Sequence, residues 1–474
     1  MIIVPFQTRE VPSHWATRDE LRLDASFYSQ QIIAARLLMG KISQKTKTVK
    51  LVDLVGAKNI YMPALKVTIP FSDYGYPYLT QSEVEFFLPA SRKRVDVKKI
   101  DDADRWKVRN GYILVSQSGT IGRLTIATSY LENFIISPNP IRIIANRDIR
   151  GFLYAFLSTW VGNAFVKSPS YGITVNHILP HQLHNIPIPQ LDNLQEEINN
   201  QILDAQRHRE TGQQLLMKAQ VELKEMLGLA TLEGESLPYL VGEIGRTIKS
   251  FEISSSKLEL RLDASYHAPI LQTIRNTLAK AKFDTVKLGL VCERISVPNR
   301  FRRHYVEDTR NGVPFLQGSH IPQTKPTDVK YISIHSSHIK DVIIKRNWVL
   351  LTRSGTVGRI AIVREGLDNW AASEHLYRIV TKPEIHPGYV AAFLSSTYGR
   401  KLIEGKTYGA VVDEIGEKDT SLIEDIDIVL PPKRIRDTIG EITFAAYDEK
   451  DKANRIEEEA IRLLEYRLKE IVNN

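Results

Sequence analysis

The apolar positions of this chain follow two different spacings, and each spacing is used twice. In "NGYILVSQSGTIGRLTIA" (110–127) short β-rich runs flank a glycine-punctuated turn, and "NWVLLTRSGTVGRIAIV" (347–363) repeats the arrangement. Such runs on both sides of a tight turn predict a hairpin. Further along each half, the apolar spacing lengthens to steps of three and four residues. The first stretch runs through Leu194, Ile198, Ile202, Ala205, Gly212, Leu216, Ala219, Leu223 and Met226. Asp192 followed by Gln195 forms an N-capping arrangement ahead of it, and Gly228 is a C-terminal stop. The second stretch opens at Pro431 and Pro432 and runs through Ile435, Ile439, Ile442, Ala446, Ile456, Ala460, Leu464, Leu468 and Ile471. Both stripes are narrow and flanked by charge, the pattern of a helix packing on another helix. At ~1.5 Å per residue each helix is roughly 50–60 Å long. Two equivalent long helices predict an antiparallel pair.

The rest of the sequence repeats in the same order. "RLDAS" stands at 22–26 and 261–265, "TVKL" at 48–51 and 285–288, and "YPYLTQSEV" at 76–84 matches "VPFLQGSHI" at 313–321. "AFLST" at 155–159 returns as "AFLSS" at 392–396, and "YG" at 171–172 returns at 408–409. All offsets lie between 236 and 239, half the length of the chain. Collinear matches at one offset mean two copies of one module. The expected fold class is α+β, with two tandem mixed α/β modules at 1–190 and 258–432. A long helix follows each, at 191–229 and 433–474, and the two helices form an antiparallel coiled coil. The segment 230–257, with glycine, serine and proline and no helical period, reads as a connector.

Composition narrows the function classes. At 474 residues, with 43% hydrophobic and 25% charged, the chain has the make-up of a multi-domain globular protein. No apolar run reaches the ~18 residues of a bilayer span. The start "MIIVPFQTREVPSHW" lacks the basic region and cleavage site of a signal peptide, so a cytoplasmic location is expected. A single cysteine, Cys292, excludes an internal disulfide framework and a thiolate zinc cage. The formal net charge of +8 leans toward a polyanionic partner.

Candidate chemistry concentrates in the turns and in the segments where the copies differ. Ser118, Gly119 and Thr120, like Ser354, Gly355 and Thr356, resemble a phosphate-cradling loop, because glycine lets backbone amides approach an anion. A P-loop spaces its glycines more widely and follows them with lysine. Here two residues separate Gly119 from Gly122, and arginine comes next, which excludes that motif. Two readings stay open: a structural turn whose arginine pairs with a local carboxylate, and a DNA-facing turn whose Arg123 or Arg359 meets phosphate. "PNRFRRHYVEDTRNG" (298–312) interleaves Arg300, Arg302 and Arg303 with Phe301, His304 and Tyr305. Such a loop neutralises phosphates and offers guanidinium forks to guanine edges; its bland counterpart is a solvated surface loop. The first copy carries "SRKRVDVKK" (91–99) instead, with Arg92, Lys93 and Arg94. His177, His181 and His184 lack a carboxylate or cysteine at ligand spacing, so no metal site is expected. No methyltransferase or Rossmann-type cofactor motif is present, and "ELK" at 222–224 sits on the helical stripe.

These motifs together resemble the specificity subunit of type I restriction–modification systems. The resemblance is carried by "GYILVSQSGTIGR", "NWVLLTRSGTVGR", "PYLTQ", "PFLQG" and the lead "HNIPIPQLDNLQEEINNQI", with "EDIDIVLPPKRIRDTIGEI" as its looser second copy. It spans nearly the full chain. It implies a non-catalytic DNA reader whose two target-recognition domains each read one half of a split, asymmetric site. The paired helices space them and dock adenine-DNA methyltransferase subunits, two of them, with or without a cleaving subunit. A strut of roughly 50 Å exceeds one DNA turn of ~34 Å. The chain itself then holds no cofactor, S-adenosylmethionine being expected on the partner. The DNA-facing roles fall on Gln81, Arg92, Lys93, Arg94, Ser118, Thr120 and Arg123 in the first copy. In the second they fall on Arg300, Arg302, Arg303, Tyr305, Ser354, Thr356 and Arg359. The docking and coiled-coil roles fall on Ile198, Ile202, Leu216, Leu223, Ile435, Ile439, Ile442, Ile456 and Leu464. The rival reading is a self-sufficient DNA-processing enzyme with an unrecognised active site.

Overall fold

The computed structural model describes residues 27–64, 68–72, 74–91, 93–170, 176–232, 251–258, 262–264, 266–408, 414–416 and 420–473. Arg92, the first "RLDAS" and most of the connector lie outside them. The chain divides into two units, one of Met1–Glu85, Pro89–Glu210 and Ala453–Asn474, the other of Phe86–Leu88 and Thr211–Lys452. Each long helix therefore contributes to both.

Among the described residues of the first unit, helix α1 (Gln30–Lys45) precedes ten short strands. These are β1 (Thr48–Lys50), β2 (Ile60–Tyr61), β3 (Phe71–Ser72), β4 (Tyr76–Leu79), β5 (Lys93–Val95), β6 (Ile113–Val115), β7 (Leu124–Ile126), β8 (Ile135–Ile136), β9 (Ile141–Ile143) and β10 (Pro187–Pro189). Helices α2 (Arg147–Ser158) and α3 (Trp160–Lys167) lie between β9 and β10, and α4 (Asp192–Leu227) follows. A larger sheet has the order β2-β9-β6-β7 and a smaller one β3-β5-β4-β8, while β1 pairs with β10. The expected hairpin is β6–β7, in register Ile113↔Ile126 to Val115↔Leu124. Its continuous apolar run has a simple cause: all of Ile113–Val115 is buried.

The second unit repeats this plan. After α5 (Pro269–Ala279) come β11 (Thr285–Lys287), β12 (Cys292–Ser296), β13 (Tyr305–Val306), β14 (Gly312–Leu316), β15 (Lys330–Ser333), β16 (Val349–Thr352), β17 (Ile360–Ile362), β18 (Ala371–Ala372), β19 (Leu376–Thr381) and β20 (Asp427–Val429). Helices α6 (Pro387–Ser395) and α7 (Thr397–Glu404) precede β20, and α8 (Lys433–Asn473) follows it. The strand orders are β12-β19-β16-β17, β13-β15-β14-β18 and β11-β20, each the counterpart of a first-unit sheet. The parallel pair is also shared, β4 with β8 and β14 with β18. Both smaller sheets leave their first strand, β3 or β13, as an edge.

Each unit buries segments of both long helices. In the first, Ile198 and Ile202 of α4 join Ala460, Leu464 and Leu468 of α8 in one apolar core. In the second, Leu223 and Leu227 join Ile439 and Tyr447, with Leu216 and Ile435 packed against the same core. Ile442 and Ile456 are half-buried beside this seam. The buried positions of α8 include a stripe of Ile439, Thr443, Ala446, Lys450, Ala453, Glu457, Ala460, Leu464 and Leu468. They follow the steps of three and four that pack one helix on another. The carriers are unequal, since the middle of the seam is polar. In the first unit Arg209 Nη2 stands 3.0 Å from Glu457 Oε2, both side chains below one-tenth exposed. In the second, a Cβ on Gly212 would lie 2.8 Å from the Ala446 carbonyl oxygen, so the backbones meet there directly. Opposed numbering at these meetings makes the pairing antiparallel.

A second close approach fixes each sheet module to its long helix. A Cβ on Gly151 would lie 2.4 Å from the Asn199 carbonyl oxygen, and one on Gly388 would lie 2.4 Å from that of Gly440. Only glycine admits this contact. Phe86–Leu88 are built into the second unit: Phe87 N donates to Pro322 O at 2.8 Å, and Gln213 Nε2 donates to Phe87 O at 2.7 Å. Among the described residues, no helix is long and apolar enough to cross a membrane.

Candidate nucleic-acid interface

The repeated turn is built the same way in both units, and its closing hydroxyl lies upstream of the Ser-Gly-Thr tip. Ser116 Oγ donates to Thr120 O at 2.5 Å and accepts from Arg123 N at 2.9 Å. Thr352 Oγ1 does the same with Thr356 O and Arg359 N, at 2.5 and 2.9 Å. Gly119 and Gly355 have φ of 69° and 72°, in the left-handed region that favours glycine. A Cβ at either would meet nothing within 4 Å. The backbone angle, and not crowding, demands glycine, and the tip residues Gly119, Thr120, Gly355 and Thr356 are exposed. Ser118 and Ser354, half-buried, form isolated bridges with residues just past the repeated Tyr-Gly pairs, Ser118 with His177 and Ser354 with Glu414. The segments 171–175 and 409–413 themselves lie outside the described residues.

Several expected DNA-facing residues have protein partners. Gln81 Nε2 donates to Ser118 O at 2.9 Å, and its Oε1 accepts from Gln117 N at 2.9 Å, so this side chain braces the turn. Arg123 Nη1 donates to Glu85 Oε2 at 2.9 Å. The Arg359 guanidinium stands 5.7 Å from the Phe86 ring centre. Arg94 Nη1 donates to Gly75 O at 2.8 Å, although its side chain is exposed. Lys93 is exposed on β5, and Arg300, Arg302 and Tyr305 are exposed in the second unit's basic loop. His177, part of the histidine run, faces Gln117 at 3.2 Å.

Arg303 differs from its neighbours. Its Nη2 donates to Glu374 Oε1 at 2.5 Å, and its guanidinium lies 5.2 Å from the Phe315 ring centre. Burial pushes the Glu374 carboxyl up, but the hydrogen bond and charge of Arg303, its own backbone amide and His375 outweigh this and hold it below the ordinary range. Burial likewise opposes the Arg303 cation, yet Glu374 and Tyr305 raise its pKa above the usual value. Next along the chain, His375 Nδ1 lies 2.6 Å from Ser354 Oγ on the glycine turn. Glu374 and His375 thus join the basic loop to the turn, and neither was singled out in the sequence. These positions share no motif and are separated by tens of residues, so no local pattern could have revealed them. The serine, imidazole and carboxylate do not make a nucleophile relay. Glu374 Oε1 is 3.7 Å from His375 Nε2, beyond hydrogen-bond reach, and is held by Arg303. Among the described residues no cluster of three or more His, Cys, Asp and Glu could hold a metal ion. The buried Cys292 thiol is pushed up to about 12 by burial and the nearby Glu424, which leaves it unreactive.

No protein-family model matches the chain, and no curated protein matches it. Its fold is similar to solved specificity subunits of type I restriction–modification systems. For the S subunit from M. genitalium, identity is 12%, the match covers 90% of this chain and 95% of that one, and the TM-score is 0.34. For the HsdS subunit from Thermoanaerobacter tengcongensis the values are 14%, 90%, 96% and 0.29. A type I system structure described by its complex assembly and conformational transition gives 14%, 90%, 97% and 0.29.

Proposed function

We propose that this chain is the DNA-reading specificity subunit of a methyltransferase assembly of the type I restriction–modification kind. Each sheet module reads one half of a split, asymmetric site. The paired helices carry the methyltransferase subunits, which supply S-adenosylmethionine and the methyl-transfer chemistry. The chain contributes recognition and no catalysis. One observation carries this reading: two modules with matching strand orders and matching turns present different exposed basic segments. Lys93 and Arg94 on β5 serve the first, and Arg300, Arg302 and Tyr305 the second. A shared scaffold with divergent cationic loops is what two readers of two different sequences require. Their cations supply salt-dependent phosphate affinity, and base-edge contacts supply discrimination.

The test is a genome-wide map of methylated adenines in cells with and without the gene. Loss of methylation at one split motif on deletion is the expected result. An unchanged map, with the chain and its methyltransferase partners expressed, would sink the assignment.

A further inference from the structure

The two small sheets share a ladder that neither copy displays as a sequence motif. On edge strand β3, Phe71 is 50% exposed, and on the equivalent edge strand β13 Tyr305 is 43% exposed. Over Phe71 lies the ammonium of Lys93 from β5, 5.1 Å from the ring centre, and over Tyr305 lies that of Lys330 from β15, at 5.0 Å. Behind each stands a buried aromatic ring on the third strand, Tyr78 at 5.4 Å from Phe71 and Phe315 at 6.3 Å from Tyr305. The registers agree: Tyr78 opposes Lys93 as Phe315 opposes Lys330, and Phe71 opposes Val95 as Tyr305 opposes Ile332. The local sequences, "FS" and "YV" on the edge or "KRV" and "KYIS" beside it, are otherwise different.

A lysine reaching over a sheet edge from the neighbouring strand has a bland use, since it discourages another strand from adding there. That use does not require a large ring left half in water beside it, and a polar residue would protect the edge better. Two diverged copies nevertheless keep ring, lysine and buried ring in one geometry. Exposed cations flank these strands, Arg94, Lys98 and Lys99 in the first unit, the last paired with Asp96, and Arg300 and Arg302 in the second. Tyr74 and Tyr76, 83% and 49% exposed, extend the first unit's aromatic surface, and Lys107 stands 5.8 Å from the Tyr76 ring. Exposed rings interleaved with cations match a nucleic-acid backbone, in which phosphates alternate with flat, weakly polar sugar and base edges.

We propose that the open edge of each small sheet is where that module grips duplex DNA. Phe71–Lys93 and Tyr305–Lys330 are the equivalent contacts. The inference rests on the DNA-reading assignment above. Each lysine exchanges its ring for a phosphate, and the uncovered ring packs against the adjoining sugar and base edge.

The experiment measures binding of the full chain to a fluorescein-labelled mixed-sequence duplex of about 40 base pairs across a salt series. Lys93→Ala and Lys330→Ala should each lower the salt slope by about 0.9, and Lys93→Arg should restore it. Phe71→Ala should weaken binding on the order of tenfold with little change of slope. Phe71→Leu, which keeps apolar bulk, guards against a folding defect and should also weaken binding. The control changes Lys218→Ala and Lys452→Ala, at exposed positions of the long helices, should leave affinity unchanged. Wild-type binding that is indifferent to the lysine and ring variants overturns this inference alone, as does an equal loss in the helix control variants. Failure of the wild-type chain to bind the duplex overturns the DNA-reading assignment as well.

Discussion

Replacing Glu457 with alanine tests how the polar centre of the helix seam is held. In the first unit Arg209 and Glu457 meet at 3.0 Å with side chains 8% and 6% exposed. Asn454 Oδ1 adds a longer contact to Arg209 at 3.4 Å. Removing the carboxylate strands a guanidinium in a nearly dry seam, a perturbation that costs about 3–5 kcal/mol. A unit of this size loses about 2–4 °C of melting temperature per kcal/mol, so its thermal transition should fall by roughly 6–20 °C. The partner change Arg209→Met should cost a similar amount, because it leaves the carboxylate buried. The double replacement Arg209→Met with Glu457→Leu should recover most of the loss, since apolar residues of similar volume substitute for a buried pair with little or no penalty. Differential scanning calorimetry on the wild type, the single variants Arg209→Met and Glu457→Leu and the double variant gives the coupling directly. A single-variant loss below about 1 kcal/mol would refute the reasoning, because that is the scale of a solvated surface pair.

Other expectations concern the turns, the loops and the docking helix. Glu374 sits below its ordinary value of 4.5, so its contribution to stability is present above that pH and is lost as pH falls through the depressed value. The melting-temperature gap between wild type and Glu374→Gln, followed from pH 7 to pH 3, should therefore close toward the acid end; a constant gap would contradict it. Gly119→Ala, at an open left-handed position, should cost about 1–2 kcal/mol, while Gly151→Ala, which drives a methyl group to 2.4 Å from a backbone oxygen, should cost more. Urea denaturation orders the two. Arg302→Ala should lower the salt slope of DNA binding by about 0.9, and an unchanged slope would remove this residue from the DNA face. Ile442→Pro breaks α8 at a cost of about 3 kcal/mol or more. It should reduce co-purification with methyltransferase subunits more than it reduces folding of either sheet module, and intact complex formation would count against docking on the helices.

The sequence by itself determined the repeat, the hairpin about each glycine turn and the two long helices. These are legible because hydrophobic spacing and turn residues are local signals. A fully buried strand writes a continuous apolar run, and a helix seam writes steps of three and four. What remained undetermined was which polar residues belong inside. Arg209, Lys450 and Glu457 interrupt the apolar stripe, and a charged residue on a helix ordinarily faces water. Only the seam, by burying them, makes them structural. The partners of the basic residues were equally hidden. Glu85 takes Arg123, Glu374 takes Arg303 and Phe86 lies under Arg359, each across a gap in sequence that only folding closes. Among cations of the same type, the tertiary structure thus separates those spent on the protein from those left exposed, Arg302 among the latter. The repeated ring–lysine ladder was out of reach for the same reason. Its three members come from three strands, and cross-strand register is set by pairing in space, whereas neighbours along the chain point to opposite faces of the sheet.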